Sequence, residues 1–198
     1  NSAGRAQARA HLCAEHGIPP STCIVLFAAN NYVRKGLPQA VEALCRLPQP
    51  AKVTLVVMGK PDTALRARLD KRSGFAFTTI WLDRVTNPAE YYRAADLLLF
   101  PTLYDSFANV IGEALLCGLP VITTEQAGGA EMVVHSVNGF VATNANAIDE
   151  MASYVEQMTN PACQAAFSAQ AAYKVRDLTI ARCSESTERI LRAAAEEK

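Results

Sequence analysis

A chain of 198 residues is long enough for one well-packed domain. Half of its residues are hydrophobic and 19% are charged, with 19 basic side chains balanced by 19 acidic ones, the make-up of an ordinary globular protein. The balance, with no basic stripe, argues against a nucleic-acid binder and against general affinity for an anionic membrane, although a further domain could supply the latter. The chain opens on Asn1-Ser2-Ala3-Gly4-Arg5, which is not a signal peptide and runs straight into a helical pattern. Starting without Met, it reads as cut from something longer. Strands are expected at Cys23–Ala29, Val53–Gly59, Thr78–Leu82, Asp96–Pro101, Pro120–Thr124 and Gly139–Ala142, several of them apolar on both faces. Helical patterns fall between and after them. In Pro38–Leu47, Ala40, Val41, Leu44 and Leu47 share a face, and Pro38 suits a first helical turn. Thr63–Ser73 carries Leu65 and Leu69 four apart. In Phe107–Cys117, Val110, Ile111, Ala114 and Leu115 form a stripe that Gly118 ends. Asn146–Met158, Ala162–Ala172 and the long amphipathic Thr179–Ala195 close the chain. No apolar run approaches the ~20 residues needed to span a bilayer.

Alternation of strand and helix predicts an α/β fold: a single Rossmann-like, doubly wound parallel sheet with helices on both faces and right-handed crossovers. No linker or repeat divides the chain, so residues 1–198 are read as one domain. In such sheets ligands bind beyond the carboxyl ends of the strands. The loops of interest are therefore Asn30–Gly36, Lys60–Asp62, Asp83–Asn87, Thr102–Ser106 and Glu125–Gly129.

The six cysteines, Cys13, Cys23, Cys45, Cys117, Cys163 and Cys183, are scattered, form no CxxC pair and lie largely within apolar patterns. They read as small hydrophobes in a reducing, cytoplasmic setting rather than as a disulfide framework. His11, His16 and His135 lack the spacing of a metal site.

Two loops carry chemistry. Asn30-Asn31-Tyr32-Val33-Arg34-Lys35-Gly36 places two adjacent cations between a strand and a helix N-terminus, where amide groups and the helix dipole favour an anion. Lys35 supplies a point charge and Arg34 a planar fork. The alternative is two solvated cations at a turn, and the glycine spacing excludes a Walker loop. In the second loop Asp105 sits at a strand-to-helix junction, Ser106 is placed to cap the helix, and Glu113 lies two turns on, beside apolar Ala114 and Leu115. A carboxylate among core positions needs either a core partner or bound hydroxyls.

Asp105, Phe107, Glu113-Ala114 and Gly118-Leu119-Pro120-Val121 together resemble the acidic-x7-Glu motif of retaining glycosyltransferases of the GT-B architecture (group 1, or family 4, type). Lys35-Gly36 resembles that family's phosphate-binding pair. Tyr91-Tyr92-Arg93-Ala94-Ala95-Asp96-Leu97 resembles its lead into the strand before the motif. Gly128-Gly129-Ala130-Glu131 and Asn138-Gly139-Phe140-Val141 resemble its Gly-Gly-x-x-Glu segment and Asn-Gly-aromatic strand. The likeness covers about Ile24 to Met158. Arg34-Lys35-Gly36, Glu42-Ala43-Leu44 and Leu47-Pro48 look most like the bacterial lipopolysaccharide-core glucosyltransferases that add glucose to an inner-core heptose. Three departures stand out: Asp105 replaces the usual Glu, Asn30 or Asn31 lies near the place of an early arginine, and Ala108 replaces a common glycine.

The resemblance implies one half of a GT-B fold, the C-terminal donor-binding domain, with the acceptor-binding N-terminal domain absent. It implies a nucleoside diphosphate-sugar, UDP-glucose first, and a glycan or glycolipid acceptor reached through the missing domain, in lipopolysaccharide or other cell-surface glycan synthesis. The full protein would be cytoplasmic and peripheral at the inner membrane, and the isolated domain inactive. Lys35, Arg34 and the backbone amides of Ser106, Phe107, Ala108 and Asn109 would meet the charge of the leaving diphosphate without a metal cofactor. Glu113 would accept hydrogen bonds from the ribose hydroxyls, Asp105 would hold the transferred sugar, and the base would lie against Leu82–Val85 near Arg84. Two alternatives remain at this level: half of a UDP-sugar epimerase-type enzyme, and a degenerate, non-catalytic sugar-nucleotide-binding module. Trp81 is expected in or beside the sheet, and Arg66, Arg68, Lys71 and Arg72 on a solvated helix face.

Overall fold

The strands form because their residues are apolar on both sides and have a covering layer on each. In a computed structural model describing residues 2–60, 62–74 and 76–196, six parallel strands form one sheet in the order β3-β2-β1-β4-β5-β6. They are β1 (Cys23–Ala28), β2 (Val53–Met58), β3 (Thr78–Leu82), β4 (Leu97–Phe100), β5 (Val121–Thr124) and β6 (Gly139–Ala142). The helices are α1 (Ser2–His16), α2 (Leu37–Cys45), α3 (Thr63–Ser73), α4 (Pro88–Ala94), α5 (Asn109–Leu116), α6 (Ile148–Met158), α7 (Pro161–Gln170) and α8 (Ile180–Glu196). The Rossmann-like doubly wound sheet expected from the sequence is the one observed.

Alternate residues of each strand serve opposite layers. Ile24, Leu26, Val56, Leu98 and Phe100 pack with Leu12 of α1, Tyr92 of α4 and Ile111, Ala114 and Leu115 of α5. Val25, Phe27, Leu55, Val57, Leu97 and Leu99 pack on the other face with Leu37, Val41 and Leu44 of α2, Leu65 and Leu69 of α3, and Val155 of α6. A strand buried on both faces cannot show the polar alternation of a half-exposed one, and these runs do not.

At the amino ends of the strands, Asp96 Oδ2 accepts from the Ile24 amide and from Arg9, each at 2.7 Å. Arg5 of the same helix donates to the Gly118 and Ala95 carbonyls at 2.8 and 3.1 Å. The aspartate that leads into β4 thus ties the starts of β1 and β4 to α1, at the opposite end of the strands from the expected ligand loops.

α4 is not among the predicted helices. It has seven residues, too few for a 3.6-residue apolar period to stand out. Pro61, within the predicted loop Lys60–Asp62, lies outside the described residues. All six cysteines are free, and burial pushes the Cys23 thiol up to about 12. Trp81 is half-buried on the edge strand β3, where its indole donates to Asp70 at 3.0 Å and Arg66 lies over its ring. Of the basic face of α3, Arg66 pairs with Asp70 and Arg72 with Glu42.

Candidate functional site

The chain runs outward from β1 to β3 and returns to lay β4 beside β1, so the loops after β1 and β4 flank the topological switch point, where such sheets bind ligands. The first loop is a tight turn: Asn31 Oδ1 accepts from the Arg34 amide, and the Lys35 amide donates to the Asn31 carbonyl, both at 3.0 Å. Gly36 follows at φ 82° and starts α2. A Cβ at this position would sit 1.8 Å from the Pro101 carbonyl oxygen, so only glycine lets the two loops close. With the backbones in contact, the Leu103 amide and the Thr102 hydroxyl both donate to the Arg34 carbonyl, at 3.0 and 3.2 Å. That packing delivers Lys35 Nζ to Asp105 Oδ2 at 2.5 Å and to the Tyr104 carbonyl at 3.3 Å. The two side chains named most prominently by the sequence are in direct contact, with exposures of 12% and 17%.

Ser106 does not cap α5 as expected. Its hydroxyl makes no hydrogen bond among the described residues, the cap position falls on Ala108 with no side-chain cap, and Asp105 Oδ1 instead accepts from the Phe107 and Ala108 amides of the turn before the helix, at 3.2 and 3.0 Å. The helix therefore starts at Asn109 rather than Phe107. Two of the four amides expected to face a diphosphate are already engaged by this carboxylate. Ala108 stands at φ 65°, a left-handed backbone that costs an alanine about 1 kcal/mol. Its buried methyl recovers a similar amount, which explains how alanine holds a place the resemblance gives to glycine.

Burial acts to raise the Asp105 pKa, but the Lys35 hydrogen bond and charge and the two amides outweigh it and hold the carboxyl below its ordinary value. A carboxylate with a depressed folded pKa stabilises the fold above its unfolded pKa and loses that contribution as pH falls through the folded one. The stability difference between wild type and Asp105→Asn, read from urea midpoints, should be constant near neutrality and shrink as the pH drops below about 4. A difference that does not change with acid would show that the pair is not ionic in the folded chain. Glu150 is also depressed, but it is present in both proteins and cancels.

The loop after β5 completes the wall. Asp105 donates its amide to the Gln126 carbonyl and accepts from the Gly128 amide, at 3.1 and 2.9 Å. A Cβ on Gly128 would lie 2.1 Å from the Ser106 oxygen, and one on Gly129 2.4 Å from that of Phe107. The Gly-Gly pair exists because two backbones touch there.

Glu113 is exposed, not lodged in the core as its neighbours implied, because α5 turns Ile111, Ala114 and Leu115 inward and Glu113 outward. Its Oε2 accepts from the Tyr92 hydroxyl at 2.8 Å, and Oε1 has no partner among the described residues. Glu113 lines a broad groove between α5 and α8, shared with Phe107, Leu116, Met132 and Cys183. Arg34 is exposed beside Lys35 with no side-chain partner among the described residues, as is Arg84 in the loop after β3. Asn109 is exposed at the start of α5, and the Phe107 ring is 56% exposed. No described contact joins Glu113 or Arg84 to the Lys35–Asp105 pair. Thr102 is a residue that sequence reasoning missed: a threonine at a strand end looks like any β-former, and its bonding to the first loop appears only in three dimensions. Among the described residues no three His, Cys, Asp or Glu side chains converge to hold a metal ion.

Residues 22–160 match the family model described as glycosyl transferases group 1. The chain is 34% identical over 145 residues to a D-inositol 3-phosphate glycosyltransferase of Xylanimonas cellulosilytica, an alignment covering 68% of this chain and 33% of that protein. It is 29% identical over 129 residues to the lipopolysaccharide glucosyltransferase WaaG of Escherichia coli K12, covering 64% and 34%. A crystal structure of WaaG superposes with a TM-score of 0.78 at 23% identity, over 86% of this chain and 47% of that one. Anabaena HepE in complex with UDP and glucose superposes with a TM-score of 0.77 at 20% identity, over 94% and 52%. The chain thus spans about a third of the length of the curated relatives it matches. The family match takes in both loops of the switch point and the Asp105–Glu113 segment between its bounds, and on that ground the chain belongs to the group 1 glycosyl transferases.

Proposed function

We propose that this chain is the donor-binding part of a retaining, metal-independent glycosyltransferase that uses a UDP-sugar, with UDP-glucose the first candidate. The observation that carries the reading is the meeting of Lys35 and Asp105, brought from the β1 and β4 loops to the switch point. Lys35 has three hydrogens to donate; one is held by Asp105 and one by the Tyr104 carbonyl. The third has no partner among the described residues and is open to a diphosphate oxygen, and Arg34 stands exposed next to it. When the bond between anomeric carbon and diphosphate breaks, these cations meet the charge that develops on the leaving group. Asp105 already accepts two amides and an ammonium, so it is a poor nucleophile and is assigned to positioning a sugar hydroxyl with its remaining lone pair. Glu113 offers an unpartnered oxygen to the ribose. HepE in complex with UDP and glucose, on the same fold, supports the choice of donor. WaaG supports a role in lipopolysaccharide or other surface-glycan synthesis. Transfer itself is assigned to the longer protein, with the acceptor held by a further domain on the cytoplasmic side of the membrane. No helix of the described residues is long and apolar enough to cross it.

Calorimetric titration with UDP, ADP, GDP and UDP-glucose, with and without a chelator, tests the reading. Preference for the uridine nucleotides, unchanged by chelation, with every nucleotide bound more weakly by Glu113→Ala, is the expected result. Preference for another base would reassign the donor. Dependence on a divalent cation would overturn the metal-independent part.

A further inference from the structure

Tyr92 has no place in the chemistry described above, yet it touches that chemistry. Its ring is 3% exposed in the core between α4 and α5, and its hydroxyl is spent on the one carboxylate of α5 that faces outward. A buried tyrosine hydroxyl needs a partner, and an inward carbonyl would have satisfied it at no cost to any site. An exposed glutamate, in turn, ordinarily keeps several rotamers. The bond from a rigid, buried donor holds Glu113 to one of them, and its second oxygen, without a partner among the described residues, stays on the groove beside α5. Burial, and after it the Glu113 charge, push the Tyr92 pKa up, so the hydroxyl keeps its proton.

We propose that Tyr92 is a positioning residue that pre-sets the Glu113 carboxylate for hydroxyl groups of the nucleotide's ribose; the inference rests on the assignment of Glu113 made under Proposed function. The mechanism is preorganisation. The rotamer freedom that Glu113 would lose on binding is already lost in the empty site.

The test titrates the 198-residue chain with UDP and ADP, each beside its 2′-deoxy form, and reads the ratio of the two affinities. In wild type, loss of a hydroxyl bonded to a carboxylate should weaken binding by about tenfold or more. In Tyr92→Phe the ratio should fall to about threefold or less, and in Glu113→Ala it should vanish. Adding Tyr92→Phe to Glu113→Ala should change nothing further, because the two act through one bond. The variant removes one oxygen, a small change against the stability of a domain. Its urea midpoint is recorded alongside, and should it unfold, trimethylamine N-oxide restores burial for the same titration. A folded Tyr92→Phe that keeps the full wild-type ratio overturns the inference alone and leaves Tyr92 as core packing. A wild-type chain that binds nucleotide with no regard to the 2′ hydroxyl overturns the ribose assignment of Glu113, and the inference with it. Binding of neither nucleotide overturns the donor-site reading beneath both.

Discussion

Gly36→Ala should destabilise the chain by about 3–5 kcal/mol and lower its melting temperature by about 6–20 °C. Two costs add. The backbone at φ 82° is a left-handed conformation that charges an alanine about 1–2 kcal/mol. The new methyl would also fall 1.8 Å from the Pro101 carbonyl oxygen. That neighbour is backbone at the end of β4 and cannot turn away like a side chain, so the loops after β1 and β4 must part. Parting them breaks the bonds that the Leu103 amide and the Thr102 hydroxyl make to the Arg34 carbonyl and withdraws Lys35 from Asp105. Gly74→Ala is the control: Gly74 has φ 55°, and apart from its chain neighbours no described residue has an atom within 4 Å of a new Cβ, so only the conformational cost of about 1–2 kcal/mol applies. Thermal unfolding of the two variants separates strain from collision. Equal losses would mean that the two loops do not touch as described.

Lys35→Met should weaken UDP binding by about 10- to 100-fold while leaving the chain folded. Methionine keeps an unbranched side chain of similar length and removes the ammonium group, which lies 6.0 Å from the centre of the Phe100 ring. Charge-assisted bonds to a diphosphate contribute about 1.5–3 kcal/mol each, or roughly 10- to 100-fold in affinity, and the neighbouring Arg34 is too exposed to replace them. The fold should lose only about 1 kcal/mol, because Asp105 keeps the Phe107 and Ala108 amides and some access to water. Arg84→Ala, by contrast, should change affinity by less than about threefold, since an exposed cation with no fixed partner contributes little. Titration calorimetry paired with urea midpoints distinguishes these outcomes. Undiminished binding in Lys35→Met would remove the anion site from the switch point, and a large loss in Arg84→Ala would move it towards β3.

The ease of reading the elements varied with their surroundings. β3, β6 and α3 were legible to the residue because each is bounded by residues that change character abruptly. The sequence makes β1, β2, β4 and β5 slightly long, because Ala29, Gly59, Asp96, Pro101 and Pro120 adjoin the apolar runs without belonging to the strands. The start of α5 was read two residues early. An apolar stripe cannot reveal that a carboxylate at Asp105 takes the amides of Phe107 and Ala108 and delays the helix. Glu113 was read as flanked by core because its chain neighbours are apolar, whereas burial depends on which way a helix is rotated.

What the sequence alone determined is the periodicity of its elements and the chemical identity of its loops. Strands that are apolar on both faces require two covering layers. Alternation with helices requires a parallel sheet, and the order of the Lys35, Asp105 and Glu113 segments marks the family. The tertiary structure alone decided which of those groups meet. Lys35 and Asp105 are 70 residues apart and touch because β4 returns to lie beside β1. Tyr92 reaches Glu113 because α4 and α5 pack on the same face of the sheet. Such contacts are set by strand order and by backbone approach at Gly36, Gly128 and Gly129. Those are properties of the packed whole, for which no local stretch of residues carries a signal.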